Sequence, residues 1–248
     1  MVCIRGSQTI IMILSNLGIS ASSAREPIIT DNLLVHLDAG NVNSYLGTGS
    51  TWTDLQGNAN GTLVNGLTYS SNNRGSLETN GSNDYVLILS VAGSGTATQS
   101  FTYEVWVNPS DSDSDGNILS MSNSNPQNNW NMPPISAVSG SFRAKIWQNT
   151  QLVADTTFAQ GEWYQVVLVW DYVASTQLLY VNGILNDSQG GIIYESSGVN
   201  NNIFLGQANP GADNAGDFAG KYSIVRLYNK ALSSAEVLIN YNVNSSRY

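Results

Sequence analysis

The chain of 248 residues has only 11% charged side chains and a formal net charge of −9. Soluble domains typically hold roughly 25% charged residues, whereas here 30 Asn, 32 Ser and 23 Gly supply most of the polarity. With nine basic residues against 18 acidic ones and no basic stripe, neither nucleic-acid binding nor attraction to an anionic membrane is expected.

Residues 1–30 are predicted to be an N-terminal arm. Arg5, the apolar run 10–14 and the small residues 21–24 have the order found in a signal peptide. The apolar run is short, is followed by Ser15 and Asn16, and is too short to span a bilayer. We therefore expect the arm to be retained and to anchor the protein, packed on its own domain or on a neighbouring subunit of an assembly. A signal peptide is the alternative.

Residues 31–248 are predicted to form one all-β domain. Eight apolar or alternating segments indicate strands: LLVHLD, DYVLILS, FTYEVWV, FRAKIW, WYQVVLVW, QLLYVN, NIFLG and YSIVRLY. Clusters of Gly, Asn, Asp and Ser separate them, and Asn182-Gly183 has the composition of a tight hairpin turn. Many strands at modest spacing favour a sandwich of two antiparallel sheets.

The segment FTYEVWV shows how the layers are expected to form. Side chains alternate along a strand, so Phe101, Tyr103, Val105 and Val107 should face the space between the sheets. Thr102, Glu104 and Trp106 should then face outward.

The last strand is expected to alternate in the same way. Val225 and Leu227 should share one face, with Tyr222, Ile224, Arg226 and Tyr228 on the other. Glu104 is expected on the outward face of its strand, and Arg226 on the tyrosine-rich face of the last strand. We therefore hypothesise that Glu104 and Arg226 form an ion pair across the sheet.

The segment SSAEVLINYN predicts one short C-terminal helix. Ser233 and Glu236 form a capping box, which satisfies free amide groups at the start of a helix. Val237, Leu238 and Tyr241 can share one helical face and cover the sheet edge or the open end of the core. We expect this segment to be structural and not catalytic.

Several blocks of residues 31–248 resemble the concanavalin A-like lectin/glucanase superfamily, and in particular its laminin-G-like jelly-roll branch. The blocks are FTYEVWVNP, WYQVVLVWDYVASTQLLYVNG, NIFLGQ and FAGKYSIVRLYNKALSSAEV, with LLVHLDAGNVNSY, TWTDLQGNANGTLVNG and GSNDYV before them. The resemblance implies a two-sheet antiparallel jelly roll in which a short helix follows the last strand.

No catalytic residue is expected. The resemblance implies a motif to look for, since glycosidases of the same superfamily carry a strand motif of the type Glu-x-Asp-x-x-Glu, in which two carboxylates flank one glycosidic bond. The sequence has no such pairing among its six glutamates: Glu26, Glu78, Glu104, Glu162, Glu195 and Glu236. The one histidine, His36, lies in an apolar run and is interpreted as a satisfied core residue.

Two acidic segments are candidate Ca²⁺ sites, since domains of the laminin-G-like branch often carry one calcium at the loop rim. Asp111, Asp113 and Asp115 have the spacing of the first half of a calcium loop, although Ser122 stands where the bidentate Glu would be. Asp213 and Asp217 form the second candidate. Solvated acidic turns are the alternative for both.

Aromatic residues in polar loops are the candidates for ligand binding. Trp130, preceded by Asn128 and Asn129, could stack on a sugar ring while the amides bind hydroxyls, and Trp147 could contribute in the same way. Burial of Trp130 and Trp147 under loops is the alternative. Trp52, Trp163 and Trp170 fall in blocks typical of the family and are predicted to be core residues.

Three functional hypotheses follow. The first is a non-enzymatic display or adhesion protein on a virion surface, such as a capsid decoration or tail-fibre component. It would bind other subunits through residues 1–30 and present its loops to a cell-surface or polysaccharide glycan or to another protein. The second is a secreted carbohydrate-binding lectin module. The third is a degenerate glycosidase. The first two place the protein on a virion or outside the cell.

Overall fold

The computed structural model describes residues 27–93, 96, 98–111, 115–122, 131–146, 149–193, 202–207 and 216–248, with the backbone alone at residues 131–133. Within these residues no helix has the length and hydrophobicity that crossing a bilayer requires.

The described residues are mostly strands, as the alternating pattern predicts. The strands are β1 (Leu33–Asp38), β2 (Thr51–Trp52), β3 (Gly61–Val64), β4 (Thr68–Ser70), β5 (Ser76–Asn80), β6 (Tyr85–Ile88), β7 (Phe101–Pro109), β8 (Gly116–Ser122), β9 (Asn131–Val138), β10 (Ser141–Ala144), β11 (Leu152–Thr157), β12 (Tyr164–Asp171), β13 (Thr176–Val181), β14 (Ile184–Gly190), β15 (Asn202–Leu205) and β16 (Ala219–Tyr228). One α-helix, α1 (Ser234–Asn244), follows β16, and short 3₁₀ turns lie at Asn72–Arg74 and Ser245–Arg247.

The strands form two antiparallel sheets packed face to face. The first sheet has the order β14-β13-β12-β7-β16-β5-β4, with β1 also paired to β16, and the second has the order β11-β10-β9-β8-β15-β6-β3-β2. The main core lies between them and takes side chains from both, such as Tyr103 and Val105 from the first sheet and Leu119 and Ile135 from the second. The predicted two-sheet sandwich is confirmed.

The outer face of the first sheet, opposite the main core, carries a second and smaller apolar cluster. It includes Val167 and Tyr180 from β12 and β13 and Val237 from α1. Ile28 and Ile29, at the end of the arm, pack against this cluster, and the Ile29 N–H donates to Asn240 Oδ1 at 2.9 Å. Helix α1 therefore lies across the outer face of the first sheet.

A buried ion pair joins this helix to the sheet. Arg226 Nη1 lies 2.8 Å from Glu104 Oε1, and both side chains are 1% exposed. Glu104 also accepts hydrogen bonds from Gln165 Nε2 at 2.9 Å and from Asn240 Nδ2 at 2.8 Å. Arg226 Nη2 donates to Asn244 Oδ1 at 2.7 Å. The hypothesis of a Glu104–Arg226 pair is confirmed, and two amides of α1 add hydrogen bonds to it.

The predicted faces hold for β7 and fail at one point of β16. Phe101, Tyr103, Val105 and Val107 all belong to the main core. Tyr222, expected on the outer face, also lies in the main core, because Tyr222 pairs with Val107 whereas Ile224 pairs with Trp106. The extra residue, Ser223, forms a bulge that shifts the alternation by one position.

The helix begins as predicted but buries a different face. Ser233 and Glu236 form the capping box. The buried residues of α1 are Val237, Asn240 and Asn244, whereas Leu238 is 43% exposed. The prediction that Leu238 covers the sheet is wrong, because the charges of Glu104 and Arg226 need polar partners, and the amides supply them.

We predict that Glu104→Gln lowers the free energy of unfolding by about 3–5 kcal/mol, since it leaves the Arg226 guanidinium buried without a counter-charge. Urea unfolding followed by circular dichroism measures the change. The more exposed pair between Lys230 and Glu236 provides the control, and Lys230→Met should cost less than about 1 kcal/mol.

A double mutant tests the coupling within the pair. Glu104→Leu combined with Arg226→Met should lose much less stability than the sum of the two single substitutions, because neither charge is then left alone. Additive losses would show that the two side chains act independently.

Candidate functional site

The helix and its 3₁₀ turn leave one part of the outer face of the first sheet open as a groove. Trp163, immediately before β12, and Tyr248 form its central ridge, with ring centroids 4.6 Å apart. We call this groove the outer trough. Its walls come from the segment 161–163, from β7 and β16, and from the turn after β4.

Trp163 is not a core residue, so the prediction from the family-typical block is wrong at this position. Tyr164, Val166, Leu168 and Trp170 face the main core, and alternation then turns Trp163 outward with Gln165 and Val167. The alternating pattern of WYQVVLVW already contained this signal. Trp52 and Trp170 are core residues as predicted.

Tyr248 is held firmly in the ridge. Its ring stacks on Trp106 with a centroid distance of 4.6 Å and an interplanar angle of 25°, and burial raises the pKa of its hydroxyl to about 12. The neighbouring Arg247 donates two hydrogen bonds to the Asp38 carboxylate, each 2.9 Å long. The stacked rings and the two-point ion pair fix the ridge on the sheet.

Two cavities lie on either side of the ridge and share Glu162, Trp163 and Tyr248 as a common wall. The lysine cavity, of about 220 Å³, is lined in addition by Ser70, Asn72, Asn73, Ser76, Asn108, Gly161 and Lys221. The helix cavity, of about 170 Å³, is lined in addition by Trp106, Asn182, Tyr241 and Ser245.

Polar groups without internal partners are aimed into the trough. Lys221 lies between Glu78 and Asn108 in the strand register, and among the described residues its ammonium makes no hydrogen bond or ion pair within 4.0 Å. Asn182 uses its Oδ1 to accept the Gln165 N–H at 3.0 Å, which leaves its NH₂ group for a ligand. Asn108 donates its NH₂ to the Gly161 carbonyl and retains a free acceptor oxygen.

This arrangement places hydrogen-bond donors and acceptors around a half-buried aromatic ring. The donors and acceptors are amide, ammonium and carboxylate groups. An aromatic face contacts the apolar C–H side of a ligand ring, while donors and acceptors at the rim bind polar substituents. The trough can therefore hold a flat polyhydroxylated molecule. It offers no nucleophile–base pair among its described lining residues.

Asp217 is the one member of the predicted Asp213–Asp217 pair that the structure describes. Its Oδ2 accepts a hydrogen bond of 3.1 Å from Gln207 Nε2. Burial raises the pKa of Asp217, and the nearby charge of Asp84 raises it further. The pKa of Asp84 is also raised, by burial first, and its carboxylate accepts the Asn80 N–H.

The donor set around Asp217 is of the kind that binds a hard cation. Gln207 Oε1 is buried without a hydrogen-bond partner among the described residues. The preceding residue, Gly206, lies close to the Asp84 carbonyl. Two carboxylates and an unpartnered amide oxygen suit oxygen-ligated Ca²⁺. No group of three or more His, Cys, Asp or Glu side chains able to hold a metal occurs in the described part of the chain.

The other predicted site residues lie elsewhere or outside the described residues. Asp115 accepts the Ser139 N–H and so ties the start of β8 to the turn between β9 and β10, and Asp111 is exposed just after β7. The remaining predicted residues lie outside the described residues: Asp113, Asn128, Asn129, Trp130, Trp147 and Asp213.

His36 pairs with Arg226 in the strand register and lies on the outer face of the first sheet. Burial, together with the charge of Arg226, lowers its pKa to about 3. Its Nε2 has no hydrogen-bond partner among the described residues. The interpretation of His36 as a satisfied core residue is therefore wrong, although it remains neutral and packed.

The fold is that of a lectin-like jelly roll, a sandwich of two antiparallel sheets with a short C-terminal helix. Residues 80–238 match a laminin G family model described as the concanavalin A-like lectin/glucanases superfamily. The chain belongs to this superfamily, as the sequence blocks predict. No curated protein matches the chain.

Solved structures share the fold at low sequence identity. A Trypanosoma rangeli sialidase mutant with trans-sialidase activity has a TM-score of 0.66 and 16% identity, over 90% of this chain and 34% of that chain. The receptor-binding domain of botulinum neurotoxin type G has a TM-score of 0.60 and 14% identity, over 86% and 51% of the two chains. The binding domain of botulinum neurotoxin serotype D has a TM-score of 0.62 and 14% identity, over 85% of this chain and 51% of that chain. The chain thus spans about a third of the sialidase and half of each toxin domain.

We predict that Tyr248→Ala lowers the free energy of unfolding by about 3 kcal/mol, because it removes a ring packed between two tryptophans. Tyr248→Phe should lose less than about 1 kcal/mol, since the stacking is retained. Thermal unfolding measures both, and tryptophan fluorescence should shift to longer wavelength in the alanine variant alone. Equal effects of the two substitutions would contradict the stacking account.

Proposed function

We propose that this protein is a non-enzymatic carbohydrate-binding module and that the outer trough is its binding site. The observation that carries the proposal is the half-buried Trp163 ring, flanked by the partnerless groups of Lys221, Glu162 and Asn182. Glu162 is exposed, and Lys221 and Asn182 are half-buried, so their polar groups are accessible to a ligand. A concentration of free donors and acceptors around one aromatic ring supports recognition of a polyhydroxylated ligand.

The similar structures support the same class of function. One of them is a Trypanosoma rangeli sialidase in complex with sialic acid, and the two toxin domains are named as a receptor-binding domain and a binding domain. These properties belong to those proteins. The shared jelly roll supports a binding role for this chain, and the choice of glycan rests on its own trough.

The number and position of the carboxylates among the described residues support a protein that binds a glycan without cleaving it. Glycoside hydrolysis generally needs two carboxylates on either side of the scissile bond. Among the described lining residues of the trough, Glu162 is the sole carboxylate. Glu104 is fully buried and ion-paired with Arg226, so it is not available to a substrate.

We predict that Trp163→Ala weakens glycan binding by about tenfold or more, since a tenfold loss corresponds to about 1.4 kcal/mol and aromatic contacts at a binding site supply at least this much. A glycan array identifies binders, and titration calorimetry with the strongest of them measures the change. Trp163→Phe should retain part of the affinity because a ring remains.

Tyr172→Ala is the matched control, because this aromatic residue is exposed in the turn between β12 and β13, away from the trough. It should bind as the unmodified protein does. Binding that survives Trp163→Ala unchanged would refute the trough as the site. The same incubations should release no reducing sugar, and sustained release would refute the non-enzymatic proposal.

We further propose that Asp217, Asp84 and Gln207 hold one Ca²⁺ ion. The support is the unpartnered buried oxygen of Gln207 together with two electrostatically coupled carboxylates. A bound cation would relieve the repulsion between the carboxylates and tie the loop before β16 to the β5–β6 turn.

Calcium at about 100 times its dissociation constant should raise the thermal midpoint by about 5 °C or more, following the roughly 2.7 kcal/mol that such binding supplies. Asp217→Asn should abolish this shift, whereas Asp155→Asn, at an exposed position of β11, should retain it. A chelator that leaves the midpoint unchanged, or an undiminished shift in Asp217→Asn, would rule out the site.

We also propose that the module is displayed on a particle or outside a cell, with the virion surface as the first setting to test. The support is the sequence alone, in its low charge and its Asn- and Ser-rich composition. Detection of peptides from this chain in purified virions tests the virion setting. Mass spectrometry of the native N-terminus tests whether residues 1–30 are retained as an anchor.

A further inference from the structure

Resting on the proposed function, we propose that the outer trough contains two adjoining sugar subsites. The lysine cavity takes the first sugar ring and the helix cavity takes the second. The ligand is therefore a stretch of oligosaccharide that crosses the ridge of Trp163 and Tyr248, and not one terminal sugar.

The size and arrangement of the cavities carry the first part of this inference. The two cavities measure about 220 and 170 Å³, and small-molecule sites typically measure roughly 300–1,000 Å³. Either cavity alone encloses little of a ligand. They share Glu162, Trp163 and Tyr248 as a wall, so a ligand long enough to pass over that wall contacts both.

The distribution of free polar groups carries the second part. The lysine cavity has the Lys221 ammonium as donor and Asn108 as acceptor, and the helix cavity has the NH₂ group of Asn182. Glu162 stands on the shared wall, where its carboxylate can accept hydrogen bonds from hydroxyls on either side. Each cavity thus has its own means of binding hydroxyl groups.

The rigidity of the ridge carries the third part. The Tyr248 ring stacks on Trp106 and lies tilted against Trp163, with a centroid distance of 4.6 Å to each. Its neighbour Arg247 is ion-paired with Asp38. A fixed ridge keeps the two cavities at a constant separation. Once the first ring is bound, the second is held at a high effective concentration near its cavity, so affinity rises with chain length.

The test uses oligosaccharides of one to six units from β-1,3-glucan, β-1,4-glucan, chitin, β-1,4-mannan and polygalacturonate, titrated calorimetrically into the full chain. In the series that binds, affinity should rise about tenfold or more between the monosaccharide and the trisaccharide and then level off. Equal affinity for one and three units would overturn the two-subsite inference and leave the proposed function standing.

Variants assign the subsites. Asn182→Asp retains the oxygen that accepts the Gln165 N–H and removes the NH₂ donor, so it should abolish the increase in affinity with oligosaccharide length. Asn186→Asp, the same change on the adjacent strand β14, is the matched control and should bind as the unmodified protein does. Lys221→Met should lower the affinity for oligosaccharides of every length by the same factor.

The outcomes separate the two claims. An Asn182→Asp effect of the same size at every length would overturn the second subsite alone. No binding by any series, or binding that does not depend on Trp163, would overturn the proposed function, and the two-subsite inference with it.

Discussion

The ion pair of Glu104 and Arg226 is the constraint on which the outer half of this structure depends. Two charges that are 1% exposed are stable only when their remaining hydrogen-bonding positions are filled. Strands β7 and β12 supply Trp106 and Gln165. Asn240 and Asn244 from the C-terminal helix add one hydrogen bond each, which leaves Arg226 Nε without a partner among the described residues.

This requirement decides where the helix lies and, through the helix, the shape of the trough. The amides of α1 must reach the ion pair, so the helix crosses the outer face near the middle of the sheet. Tyr241 is then brought over Trp106 with an interplanar angle of 2°, and the following turn carries Tyr248 to the ridge beside Trp163. A polar interaction in the sheet thus positions the aromatic groups of the candidate site.

Much of the fold could be predicted from the sequence because alternation with a period of two reports directly which side chains are buried. It assigns both faces of β7 correctly. It cannot show the bulge at Ser223, because no glycine or proline marks it, and so Tyr222 is assigned to the wrong face. Strands such as β11 and β14 escape prediction because they are polar edge strands whose pairing depends on neighbours distant in the chain.

The candidate site was harder to predict, and the reason is physical. Hydrophobicity alone places Leu238 against the sheet, whereas buried charges select Asn240 and Asn244. The block around Trp163 predicts a core residue, although the alternation that begins at Tyr164 turns Trp163 outward. The partners of a side chain on the outer face come from segments far along the chain, and local patterns carry no information about them.

The outer face is divided between two roles by what lies above it. Over β12 and β13, the apolar cluster with Val167 and Tyr180 is closed by the helix and by Ile28 and Ile29. Beyond the helix, toward β16 and β5, the rows carry Lys221, Glu78 and Asn108, of which Lys221 and Glu78 are half-buried. An apolar patch would need a cover to avoid water, whereas polar rows are stable in water and remain open to a ligand. The side chains of the sheet thus leave a polar surface open, and this surface is the proposed binding face.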